Sequence, residues 1–71
     1  MDISIQIGSE IKKRRKLLKI TQSDLAEISG ISLRSLKEIE TGKGNPTIEQ
    51  LQKILNPLGL IIKIISGNEE G

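Results

Sequence analysis

Gln22-Ser23-Asp24-Leu25-Ala26-Glu27-Ile28-Ser29-Gly30-Ile31-Ser32-Leu33-Arg34-Ser35-Leu36-Lys37-Glu38-Ile39 is the stretch whose spacing decides the fold. Counted from Gln22, Leu25 is fourth, Ala26 fifth, Gly30 ninth, Ile31 tenth, Leu36 fifteenth and Ile39 eighteenth. Two short helices that cross steeply approach closely and need a small side chain at the crossing, which Ala26 supplies. The turn between them needs a positive φ, which Gly30 adopts at least cost. Leu25, Ile31, Leu36 and Ile39 then seal the pair onto a core. Any one of these matches is common, whereas six at these intervals between two capping residues are hard to obtain by chance.

The caps bound the pair. Thr21 is a good N-cap, with Asp24 three residues on to help satisfy the first-turn amides. The spacing predicts a helix over 22–29 that ends at Gly30, and another from Leu33 to about Thr41, capped by Ser32 and stopped by Gly42. Upstream, a helix is expected from about Ser4 or Ser9 to Leu18, with Ile7, Ile11 and Leu18 on one stripe and Arg14 and Arg15 filling the gap. Its start is open, because Ile3, Ile5 and Ile7 also alternate like a short strand. Downstream, Lys43 to Pro46 read as a loop. Thr47 and Gln50 form a capping box for a fourth helix that points Ile48, Leu51, Ile54 and Leu55 inward. Pro57 and Gly59 are expected to end it.

Leu60-Ile61-Ile62-Lys63-Ile64-Ile65 changes the period and reads as a strand. Only Lys63 is polar, so both faces want cover, and a lone strand has no ladder partner. An equivalent strand from a second copy, antiparallel across a two-fold axis, answers both needs. Pairing with the N-terminal isoleucines, or a last helical turn, is the alternative. The expected organisation is a domain over 1–59, a dimerisation strand over 60–66 and a flexible acidic tail over 67–71. The fold class expected is all-α, a compact four-helix domain with one short C-terminal strand.

Composition narrows the function. The chain has 71 residues, with no cysteine, histidine or aromatic residue. That is enough for one small domain with a core of isoleucine and leucine and a thin stability margin. Without cysteine there is no disulfide or thiolate chemistry, which suits a reducing cytoplasm. Without histidine the commonest metal ligand and general base are missing. No nucleophile–base pair or metal cluster can be assembled, so an enzyme, a metal and a cofactor are not expected. Met1-Asp2 opens no signal peptide, and 58–65 is too short and interrupted to span a bilayer, so no membrane is expected. Net charge is +2, yet Lys12 to Lys43 hold nine basic residues against four acidic ones, leaving −3 in the flanks. This asymmetry fits a polyanionic partner on one face, or a solvated lysine-rich helix.

Nearly the whole chain resembles the Xre-type regulators, which include the lambdoid phage repressors and Cro proteins. The resemblance is carried by Ile20-Thr21-Gln22-Ser23-Asp24-Leu25-Ala26, Gly30-Ile31-Ser32, Ile39-Glu40-Thr41-Gly42 and Asn45-Pro46-Thr47. Thr41 stands where the family usually has asparagine. The resemblance implies a lambda-repressor-like helix-turn-helix domain that binds double-stranded DNA. The DNA-binding residues it implies are Thr21, Gln22, Ser32, Leu33, Arg34, Ser35, Lys37, Glu38, Lys43 and Asn45. Gln22 is expected to join the free amides of its helix N-terminus on a phosphate. The helix from Leu33 is expected in the major groove. There Arg34 would read guanine, Leu33 a thymine methyl and Glu38 a cytosine amine, with Ser32 and Ser35 on phosphate or base. For Leu33 an ordinary exposed leucine is the alternative.

Lys43 and Asn45 match phosphate-contacting positions of the family. The resemblance further implies an Arg15–Glu40 ion pair that is structural. Lys12-Lys13-Arg14 fit either phosphate contacts or a solvated face. Dimerisation through Leu60, Ile61, Ile62, Lys63, Ile64 and Ile65 would set two recognition helices about 34 Å apart on an inverted-repeat operator. A domain of this kind followed by an apolar strand also resembles the HipB-type antitoxins, which bind their own promoter and a protein toxin. A repressor of its own promoter is therefore the first expectation, and a module that chiefly holds a toxin the second.

Overall fold

A computed structural model describes residues 2–67. They form four helices, α1 (Ile3–Leu17), α2 (Gln22–Ser29), α3 (Leu33–Glu40) and α4 (Ile48–Leu58). Expectations for Asn68 to Gly71, the greater part of the acidic tail, lie outside the described residues.

α1 starts earlier than the sequence suggested. Asp2 is its N-cap, and the carboxylate accepts from the Ser4 amide at 2.9 Å. Ile3, Ile5 and Ile7 are therefore helical, and their alternation is incidental: Ile7 leans on the core while Ile3 and Ile5 are exposed. At the other end Ile20 N donates to Arg15 O and Lys19 N to Lys16 O, each at 3.0 Å, and Lys19 takes a φ of 60°. This is the Schellman arrangement with lysine where glycine is usual. It turns Ile20 toward the core and leaves Leu18 42% exposed, so Leu18 is not part of the buried stripe. That stripe is Gly8, Ile11 and Arg15.

α2 follows its caps, with reciprocal Thr21–Asp24 bonds at 3.0 and 3.3 Å and Gly30 at φ 71°. α3 is capped by Ser32 and ends at Glu40, with Thr41 as its C-cap. α4 has the Thr47–Gln50 capping box. Pro57 does not stop it. A proline in a last turn removes one donor, but the helix runs one residue further because Leu58 is fully buried, and Gly59 at φ 70° ends it. Ile48, expected inward, is 70% exposed at the first turn.

The core lies where α1 and α2 each pack on both α3 and α4. Ile11, Leu25, Leu36, Ile54 and Leu58 are fully buried at its centre, with Ala26, Ile31, Ile39, Leu51 and Leu55 around them. Ala26 is buried in this core, and Gly30 takes the positive φ that the turn after α2 was expected to need. Past α4, Leu60 packs against the core and its amide bonds Leu55 O at 3.1 Å. Residues 61–65 are exposed and form no strand in the single chain, and the N-terminus, being helical, offers no ladder to them.

Candidate nucleic-acid interface

α3 is divided lengthwise. Leu36, Ile39 and Glu40 are buried, while Leu33, Arg34, Lys37 and Glu38 face solvent and Ser35 is half-buried. The Arg34 side chain is 91% exposed, with Nε 3.9 Å from the Glu38 carboxylate one turn on. An exposed pair at that distance contributes little, so the guanidinium is available to another acceptor. Ser32 caps the helix through the Ser35 amide at 3.1 Å and donates its own proton to Ser35 Oγ at 2.9 Å. At the far end Lys43 N donates to Glu38 O at 2.8 Å. That bond brings exposed Lys43 and Asn45 back beside the outer face of α3.

The start of α2 is tied to the end of α3. Arg15 Nε donates to Glu40 Oε2 at 2.7 Å and Arg15 Nη2 to Glu40 Oε1 at 3.1 Å. Their side chains are 9% and 2% exposed, a bidentate pair out of water. Arg15 Nη1 also donates to Ile20 O at 2.9 Å, fixing the approach to α2. Gln22 Nε2 donates to Glu40 Oε1 at 3.0 Å. Gln22 is the first residue of α2, where backbone amides point away from the helix and the dipole is positive.

The Gln22–Glu40 bond has no signature in the sequence beyond two polar residues eighteen positions apart. Arg14 was missed as well: its Nε donates to Leu58 O at 2.8 Å, so it holds the end of α4. Of its neighbours, Lys13 pairs with Glu10 at 3.4 Å on an exposed face. The remaining candidate residues, Leu60 to Ile65, lie apart from this surface, beyond the end of α4. Among the described residues no group of three or more His, Cys, Asp or Glu is placed to hold a metal, and no helix is long and apolar enough to cross a membrane.

Comparison with known proteins agrees with this geometry. The helix-turn-helix family profile matches residues 11–61. The chain is 38% identical over 63 residues to the cryptic phage CTXphi transcriptional repressor RstR of Vibrio cholerae, covering 89% of this chain and 56% of that protein. It is 36% identical over 63 residues to the immunity repressor protein of Bacillus phage phi105, covering 89% of this chain and 44% of that protein. The chain thus spans about half the length of these two repressors. It is also 32% identical to the uncharacterized HTH-type transcriptional regulator y4mF of Sinorhizobium fredii, covering 89% of this chain and 83% of that one. The chain belongs to the helix-turn-helix family, in its Xre-type branch.

Proposed function

We propose that this protein is a sequence-specific double-stranded DNA-binding transcriptional regulator, a homodimer that represses its own promoter by occupying an inverted-repeat operator. One observation carries the reading: α3 buries Leu36 and Ile39 and turns Arg34, Lys37 and Glu38 outward, while Glu40 at its end is bonded to Gln22 at the start of α2. In this reading α3 enters the major groove and Arg34 reads a guanine through its planar fork. Leu33, Ser32, Ser35 and Glu38 flank it, and Lys37, Lys43 and Asn45 meet phosphates. Thr21 caps α2 so that its first amides and Gln22 meet another phosphate. Repressors among the relatives support the regulatory role.

The dimer rests on residues 60–66. Ile61, Ile64 and Ile65 are 83%, 93% and 76% exposed. Strands paired across a two-fold axis would cover them and fix the half-site spacing. The same apolar arm supports a second reading, an antitoxin-type module whose main partner is a protein toxin.

Selection of duplexes from a randomised pool, followed by salt titration, tests the first reading. The expected result is an inverted repeat bound with log-linear loss of affinity as salt rises. Sequence-blind binding, beside a tight stoichiometric protein partner, would favour the second.

A further inference from the structure

We infer that Glu40 is a positioning residue for DNA binding as well as half of an ion pair. It turns the Gln22 side-chain amide so that one N–H is held by the protein and the other is presented to a phosphate oxygen. The inference rests on the reading of α2 and α3 as the DNA-binding surface. Both Glu40 oxygens already accept from Arg15. A carboxylate so engaged offers only acceptor positions, and the Gln22 group 3.0 Å from Oε1 must therefore be its nitrogen. That settles which way the amide faces, a choice that geometry alone leaves open for glutamine.

An amide nitrogen carries two donors. One is used on Glu40, and the second lies at the first residue of α2, beside helix amides that also seek an anion. Arg15 cancels the charge of Glu40, so the carboxylate orients the donor without setting a net negative charge against the phosphate. Gln22 is held before DNA arrives, which lowers the ordering cost of binding. Because Glu40 closes the recognition helix and Gln22 opens α2, the same bond fixes the phosphate clamp relative to the base-reading face.

Glu40→Gln tests this without changing shape. With its oxygen kept toward Arg15 Nε, the new amide turns N–H toward Gln22, and Gln22 must flip and show its oxygen to the phosphate. The probes are a duplex selected by the protein and a scrambled duplex. Gln22→Met should weaken binding to both by about tenfold to a hundredfold, the range for one hydrogen bond to a charged group. The slope of log affinity against log salt should not change, since no cation is removed. Glu40→Gln, compared where circular dichroism shows it folded, should also lose affinity for both duplexes although it leaves the Arg15 charge uncompensated, and the double variant should lose no more than the weaker-binding single variant.

A folded Glu40→Gln that binds like the wild type, or losses that multiply in the double variant, would overturn the inference. Should Glu40→Gln fail to fold, the wild-type Gln22 side-chain amide decides by NMR. It should be as rigid as the backbone before DNA is added, unlike the exposed Gln52, and one proton of its pair should shift on binding. A Gln22 amide as mobile as that of Gln52 rejects the inference. If the wild type binds neither duplex, the DNA reading falls and this inference with it, even where the amide is rigid.

Discussion

Gly8 lies against the last turn of α3 so closely that a Cβ there would overlap the Ile39 carbonyl oxygen and stand 2.8 Å from that of Glu40. α1 and α3 therefore meet backbone to backbone at this point. The contact sets the depth at which α3 seats, and with it the position of Glu40 over Arg15.

Gly8→Ala is accordingly expected to destabilise the fold. Alanine favours a helix interior by about 1 kcal/mol over glycine, but two backbone carbonyls cannot yield as a flexible side chain would. Overpacking of this kind costs about 1–3 kcal/mol, which in a domain this size lowers Tm by about 4–8 °C per kcal/mol. Thermal unfolding followed by circular dichroism measures it, and an unchanged Tm would mean that the approach is looser than described.

The Arg15–Glu40 pair gives an asymmetric expectation. Removing one partner strands a buried charge, so Arg15→Met should cost about 3–5 kcal/mol in urea unfolding, most of the margin of so small a domain. Replacing both, Arg15→Met with Glu40→Leu, should recover most of that stability. DNA affinity should not recover with it, because Gln22 has lost its anchor. A double variant as unstable as the single one contradicts the first statement.

Much of this was legible in the sequence because it is local. Thr21, Ser32 and Thr47 are caps, and Gly30 and Gly59 are left-handed stops. Each acts over three or four residues, within reach of a spacing argument. What escaped depends on distant contacts. Gly8 matters through α3, Arg14 through the Leu58 carbonyl, and Gln22 through Glu40. Pro57 misled because burial of Leu58 outweighed the lost donor, and Leu18 because Lys19 adopts a conformation usually left to glycine. The isoleucine alternation before Gly8 fits two periods at once, and only the Asp2 cap separates them.

Removal of the chain after Leu60 should separate folding from assembly. Leu60 packs on the core, whereas Ile61 to Ile65 are exposed. The shortened protein should stay helical, sediment as a monomer and bind an inverted repeat weakly. A shortened chain that still sediments as a dimer rejects residues 61–66 as the joining element.

Two basic residues should fail in different ways. Arg34→Ala should relax base preference, with about 1–3 kcal/mol of discrimination lost at one position of each half-site. Lys43→Ala should weaken every duplex alike and lower the salt slope by about 1 per subunit. Repeating the duplex selection with each variant distinguishes them. Identical selected sequences for Arg34→Ala and the wild type would remove Arg34 from the base-reading set.

The proposed function requires that α3 be the element that meets DNA. Titrating the isotopically labelled protein with its selected duplex and following the backbone amides tests this directly. The largest shifts should fall on Gln22 and Ser23 and on Ser32 to Lys37, with the outer face of α4 unmoved. Shifts gathered on α4 and residues 61–65, with α3 silent, would contradict it.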